Sequence, residues 1–235
     1  MKVVILAGGR GSRLKPYSTS FPKPLMPIGD KPILEILIRQ LSSHNQKDII
    51  LAVGHLAELI MSFFGEGSLY GVKIRYSRED KPLGTIGPLS LIKDELKETF
   101  LVINGDTLTD LDYSKLLMNH RKNKCIATIA LVKRIVEIDY GVPTLTVKST
   151  IENYEEKPKI TYNVGTGICV FEPKILKYIK PGKRLDLPDL LKKLFDNGET
   201  VSGYMHNGYW FDIGRPADYE AACNFVEKKE RRARY

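Results

Sequence analysis

Three glycines, Gly8, Gly9 and Gly11, stand directly behind a short apolar run, and Arg13, Lys15 and Lys23 come after them. Glycine lets the backbone turn sharply and bring amide donors close to an anion, and fixed cations add charge, so this segment reads as a phosphate cradle. Pro16, Pro22, Pro24 and Pro27 oppose a long helix in the same stretch. A dinucleotide-binding turn needs that helix, and a P-loop needs Gly-Lys-Ser/Thr; the sequence offers neither. Farther along, Asn104-Gly105-Asp106 closes one apolar run and Trp210-Phe211-Asp212-Ile213-Gly214 closes another. Taken singly, each reads as turn chemistry or a helix cap. Taken together, Asp106 and Asp212 at strand ends facing a phosphate loop describe a Mg²⁺ site, with oxygen ligands and retained waters.

Such residues must be held by regular elements, and the hydrophobic pattern supplies them. Residues 2–6, Asp48–Val53, 72–76 and 100–103 read as strands, with helices over 32–44, 55–64 and 85–96 between them. Strands alternating with helices imply parallel βαβ units, hence an α/β fold with a doubly wound, mostly parallel mixed sheet in a single domain. In such sheets ligands sit beyond the carboxyl ends of the strands, where both the glycine turn and Asp106 fall. The second half is richer in strands: 126–132, 142–147, 165–171, Val201–Met205 and 209–211, with helices over 186–197 and 216–229. We therefore expect one domain over residues 1–235, with a cofactor-proximal half (about 1–110), a substrate-proximal half (111–227) and a basic tail (228–235).

Composition narrows the function. The chain has 235 residues, 43% hydrophobic and 27% charged, enough for one large core and typical of a soluble protein. No apolar run approaches the roughly 20 residues of a membrane span, and no leader pattern is present, so a cytoplasmic protein is expected. The net charge of +8 suggests nucleic acid, but the last eight residues, KKERRARY, carry +4 of it. A basic run there reads as a solvated helix end. The three cysteines and four histidines are scattered without metal-ligand or redox spacing, which disfavours a zinc site or a nucleophilic mechanism.

The motifs resemble, in order, those of the sugar-phosphate nucleotidyltransferases. The resemblance rests on Gly8-Gly9-x-Gly11-x-Arg13-Leu14, Pro22-Lys23-Pro24-Leu25 with Lys31-Pro32, and Glu79-x-x-Pro82-Leu83-Gly84-Thr85. It continues through Asn104-Gly105-Asp106, Tyr140-Gly141-Val142, Glu156-Lys157-Pro158 and the Trp210–Gly214 segment, and so spans nearly the whole chain. Within the family the chain is most similar to the mannose-1-phosphate guanylyltransferase branch, through YSREDKPLGTIGPL and YWFDIGRPADY. The resemblance implies a Rossmann-like nucleotidyltransferase fold and a site assembled from both halves. Leu6, Ala7, Gly8, Gly9 and Gly11 would hold the nucleotide, with Arg13 and Lys23 as catalytic cations on the phosphates. Glu79, Gly84 and Thr85 would face the base, and Asp106 and Asp212 would bind Mg²⁺. Asn104, Gly141, Glu156 and Lys157 would contact the sugar phosphate. One departure is Gly165, where many relatives carry Asn.

The expected reaction is a Mg²⁺-dependent transfer of a nucleoside monophosphate from an NTP to a sugar 1-phosphate, for nucleotide-sugar and glycan synthesis. GTP is favoured because a carboxylate such as Glu79 can accept both the N1–H and N2–H of guanine. Mannose 1-phosphate and a D-glycero-D-manno-heptose 1-phosphate are the favoured acceptors. Cytidylyl, uridylyl or thymidylyl transfer to a sugar such as glucose 1-phosphate stays open, as does a non-catalytic sugar-nucleotide-binding subunit. The partners expected are thus an NTP and a sugar 1-phosphate, with no nucleic acid and no membrane; a homodimer stays open.

Overall fold

The computed structural model describes residues 1–11, 14 and 21–233, and Arg13, Lys15 and Pro16 lie outside them. The chain opens with β1 (Lys2–Ala7), passes a 3₁₀ turn at Lys23–Leu25 and a small hairpin of β2 (Pro27–Ile28) and β3 (Lys31–Pro32), and enters α1 (Ile33–Ser43). Then come β4 (Asp48–Val53), α2 (Ala57–Phe64), β5 (Lys73–Arg78), β6 (Phe100–Asn104), β7 (Thr107–Thr109) and α3 (Tyr113–Asn123). The second half holds β8 (Ala127–Glu137), β9 (Gly141–Leu145), β10 (Ile151–Glu156), β11 (Lys159–Phe171), α4 (Leu187–Asp196), β12 (Val201–Met205), β13 (Trp210–Asp212) and α5 (Pro216–Ala233).

Seven strands form the central sheet in the order β12-β8-β11-β6-β1-β4-β5. β11 alone runs against its neighbours β6 and β8; every other adjacent pair is parallel. This is the mixed, mostly parallel α/β sheet that the alternation of elements predicts. Successive side chains of a strand point to opposite faces, which splits the core in two. Val3 and Ile5 of β1 pack toward Leu34, Leu37, Leu41, Ile60 and Leu116 from α1, α2 and α3. Val4 points the other way, into a cluster with Leu89, Ile92, Leu190 and Leu194. A third cluster joins Met26, Ile28 and Ile33 to Leu108, Ile213 and Ala222, tying the proline-rich segment to the far end of the chain.

Two of the departures from the sequence expectation are helical. Residues 85–96 form two 3₁₀ pieces, Gly87–Leu91 and Lys93–Glu95, rather than one α-helix. Pro88 has no N–H to give a helix, and the Ile86 and Gly87 amides donate instead to the Leu185 carbonyl, at 2.9 and 3.1 Å. The unanticipated helix is α3, capped by the Asp112 carboxylate, which accepts from the Ser114 and Lys115 amides. Among the described residues, no helix is long and apolar enough to cross a membrane.

Candidate active site

Because β1, β4 and β6 are parallel, the loops after Ala7, Val53 and Asn104 open on one edge of the sheet. Close backbone contacts bind these loops together. The Gly105 amide donates to the Leu6 carbonyl at 2.9 Å, and a Cβ at Gly105 would meet that same oxygen at a tight 3.1 Å, so glycine eases the close approach there. The His55 amide donates to the Gly8 carbonyl at 3.3 Å. Beyond this edge lies a cavity of about 640 Å³.

The cavity brings together most of the residues singled out in the sequence. Leu6, Ala7, Gly8, Gly9 and Gly11 line it beside Lys23, Glu79, Gly84, Thr85, Asn104, Asp106 and Asp212. Arg13 lies outside the described residues. Gly141, Glu156 and Lys157 do not line it. They sit together on the β9–β10 hairpin, where Gly141 pairs with Glu156 and the Lys157 amide donates to the Tyr140 carbonyl at 3.3 Å. Arg10 and Arg184 do line the cavity, and sequence reasoning misses both. Arg10 stands inside the glycine motif at a position the motif leaves unspecified. Arg184 lies far along the chain in a charged, proline-flanked stretch with no spacing signal.

At the centre Lys23, 9% exposed, is held between two acids. Its ammonium donates to Asp106 Oδ2 and lies 3.5 Å from Asp212 Oδ1. The flanking structure explains the convergence. The 3₁₀ turn between Pro22 and Met26 fixes the Lys23 backbone, while β7 and β13 pair so that Asp212 stands opposite Thr107, next to Asp106. Burial pushes the Asp106 carboxyl up from its ordinary value, the Lys23 ammonium opposes this, and the Asp212 carboxylate adds to the rise; the net direction is upward. A partly buried carboxylate pair of this kind calls for a cation between its members, and Lys23 supplies one. The same oxygen-only pair suits a hard dication that keeps waters and takes further oxygens from a ligand. Among the described residues no group of three or more His, Cys, Asp or Glu could hold a metal.

Glu79 marks the other end. Its Oε2 accepts the Leu83 amide at 2.9 Å. Its Oε1 lies where a Cβ at Gly8 or Gly54 would come within 2.6 or 2.8 Å, so both positions need glycine for the carboxylate to fit. Burial raises its pKa and the Leu83 amide partly offsets the rise. Thr85 is fixed from the second half of the chain. Its amide donates to Asp186 Oδ1 at 2.9 Å and its hydroxyl accepts the Leu187 amide at 2.9 Å, while Arg184 Nη2 reaches Asp186 Oδ2 at 3.1 Å. Gly84 takes φ +82 there, pressed against Leu185 and Asp186. Cys169, buried on β11, is a poor nucleophile, its thiol pushed up to about 12 by burial.

Residues 2–229 match the family model described as nucleotidyl transferase. The chain is 36% identical over 249 residues to UTP--glucose-1-phosphate uridylyltransferase of Synechocystis sp., covering 98% of this chain and 64% of that protein. It is 32% identical over 223 residues to mannose-1-phosphate guanylyltransferase of Mycobacterium tuberculosis, covering 92% of this chain and 62% of that one. The chain thus spans less than two thirds of the length of these relatives. Among solved structures, HddC from Yersinia pseudotuberculosis complexed with GMP-PN superposes with a TM-score of 0.75 at 28% identity, covering 96% of this chain and 99% of that one.

Proposed function

Since the chain belongs to the nucleotidyl transferase family, we propose that it transfers a nucleoside monophosphate from an NTP to a sugar 1-phosphate and releases pyrophosphate. The observation that carries this reading is the buried Lys23 between Asp106 and Asp212, all three lining a cavity together with the glycine turn. An oxygen of the sugar phosphate attacks the α-phosphorus, and the bond from that phosphorus to the bridging β-oxygen breaks. The attacking oxygen is already anionic, so no general base is needed. The obstacle is repulsion between two anions and the charge that builds on the leaving pyrophosphate. Lys23 answers it at the reacting phosphates, with Arg10 and Arg184 as further cations lining the cavity, and Arg13 added on the strength of the family motif. Mg²⁺, when bound by Asp106 and Asp212, would supply charge neutralisation across the phosphates. Asn104, Gly141, Glu156 and Lys157 are the proposed contacts to the sugar phosphate.

GTP is the proposed donor. Glu79 spends Oε2 on the Leu83 amide, which leaves Oε1 as the acceptor for the N1–H and N2–H edge of guanine. A guanylyltransferase relative and a structural neighbour complexed with GMP-PN support this choice. Mannose 1-phosphate or a D-glycero-D-manno-heptose 1-phosphate is then the proposed acceptor, for nucleotide-sugar supply to glycan synthesis in the cytoplasm. The uridylyltransferase relative, at 36% identity, favours a second reading with UTP and glucose 1-phosphate. One experiment separates them: pyrophosphate release measured over a matrix of four NTPs against a panel of sugar 1-phosphates with Mg²⁺. Highest turnover with GTP upholds the first reading and with UTP the second. No release with any pair would make the chain a binding subunit instead.

A further inference from the structure

Asp106 and Asp212 reach the cavity on unlike supports. Asp106 follows β6, a strand inside the seven-stranded sheet, and accepts directly from the Lys23 ammonium. Asp212 stands 3.5 Å from that ammonium and ends β13, a three-residue strand whose strand partner is β7. A two-stranded pair is marginal in water, and one this short does not specify its own register. A slip of one residue would carry Asp212 about 3.3 Å along β7 and turn its side chain to the other face. At the cavity end the pair is closed by the Ile213 amide, which donates to the Asp106 carbonyl at a long 3.3 Å.

The opposite end of the pair is tied more firmly. His206 follows β12 directly, and its amide donates to the Leu131 carbonyl of β8 at 2.8 Å, which anchors its backbone to the central sheet. Its Nε2 lies 3.0 Å from Asp110 Oδ1, 3.3 Å from the Tyr209 carbonyl and 3.4 Å from the Thr109 hydroxyl. That hydroxyl gives its own hydrogen to the Tyr209 carbonyl at 2.9 Å. All three groups therefore face Nε2 as acceptors, so Nε2 carries the ring hydrogen, and Asp110 is its nearest partner. A Cβ at Gly208 would run into both Asp110 Oδ1 and the imidazole ring, so the turn between His206 and β13 is shaped around this bond. Trp210 donates from Nε1 to the Thr166 carbonyl at 3.0 Å and holds β13 against β11. His206 holds it against β7, the strand that follows Asp106.

We propose that His206 is a positioning residue: through Asp110 it locks the register of β13 on β7, and so sets where Asp212 stands relative to Asp106 and Lys23. The lock sits at the end of the pair away from the chemistry, since Asp106 and Asp212 line the cavity and neither His206 nor Asp110 does. Its role rests on the transferase reading of Asp212 given above. It acts on the reacting phosphates rather than on capture of the nucleotide, because the glycine turn, Glu79 and Thr85 are carried by other loops.

The test compares the full wild-type chain with His206→Leu, His206→Gln and Asp110→Ala. Leucine removes the donor, whereas glutamine returns an amide N–H close to the place of Nε2. Hydrogen exchange of the Ile213 amide, which needs no substrate, should be at least about tenfold faster in His206→Leu and Asp110→Ala, with residues 3–5 of β1 unchanged. With the NTP and sugar 1-phosphate that turn over fastest, kcat should fall about tenfold while KM for the NTP stays within about twofold, the pattern of a misplaced reacting group. His206→Gln should recover most of both. Asp110→Ala cuts the same bond at an exposed side chain and answers the question even where His206→Leu does not fold. Unchanged Ile213 exchange overturns the proposal. So does a glutamine variant as impaired as the leucine one, or faster exchange with wild-type kcat in an active enzyme. A wild-type chain that releases no pyrophosphate with any pair refutes the transferase reading instead, and Ile213 exchange then decides the lock by itself.

Discussion

Two stretches of the same strand pair differ sharply. Ala127 and Thr128 of β8, with Val170 and Phe171 opposite them on β11, are fully buried and flanked by β12 and β6. A few residues on, the same pair becomes a free ribbon exposed to water. The candidate site divides along that line. Lys23, Asp106, Asp212 and the glycine turn rest on the braced sheet, whereas Gly141, Glu156 and Lys157 ride on the ribbon. On the proposed function, the chemistry that needs fixed charges would stand on the braced sheet, and the acceptor contacts would stand on the water-exposed ribbon.

The largest effect is expected at the braced end. Asp106→Ala should lower kcat/KM by at least about 10³-fold, roughly 4 kcal/mol of transition-state stabilisation, while far-UV circular dichroism stays native. Near-normal Mg²⁺-dependent turnover in this variant would refute the metal assignment and, with it, the claim that the sheet edge carries the chemistry.

The ribbon end should fail differently. A Cβ at Gly141 would run into the Tyr154 ring, so Gly141→Ala must displace that ring or bend the hairpin. The expected result is a rise of about tenfold in KM for the sugar 1-phosphate, with KM for the NTP changed less than about twofold. Equal changes in both constants would show that the two regions do not divide the substrates.

How far the sequence reveals this division depends on what burial leaves in it. Strands inside the sheet announce themselves, and Asp48–Val53 has the bounds that its apolar run suggests; the edge strand Val201–Met205 also has its expected bounds. The ribbon is cut short in the sequence pattern, because 126–132 and 165–171 end where burial ends although the strands continue into water. The expected helix over 85–96 has helical apolar spacing, yet its first amides, Ile86 and Gly87, bond to Leu185 about a hundred positions away, which no local pattern records. Motif order points to Lys23, Asp106, Asp212 and Glu79, which meet at the cavity. Arg184 is invisible because only the zipper between Thr85 and Asp186 carries it to the cavity.

That zipper allows a smaller test of the braced side. Asp186→Ala removes the acceptor of the Thr85 amide and should cost about 1 kcal/mol of stability in denaturant unfolding. It should also raise KM for the NTP without touching that for the acceptor. A variant with altered acceptor KM alone would place the loop on the wrong side of the division.

The smallest expected effect concerns Glu79 and depends on pH. Burial lifts its folded-state pKa above the unfolded value of about 4.3, with the Leu83 amide opposing. Below that value both states are protonated and the carboxyl carries no penalty. As pH rises through the folded pKa, the folded protein must ionise a half-buried group, and stability falls relative to a side chain that cannot ionise. Glu79→Gln can keep the Leu83 amide as a partner through its carbonyl oxygen, so its melting temperature should gain on the wild type between about pH 4 and pH 7, by about a degree or two. An offset identical at both pH values would mean that the amide, not burial, governs the carboxylate. Glu79 would then be a brace for its loop, as fixed as the glycines against which it lies, rather than an acceptor left partly unsatisfied for the base.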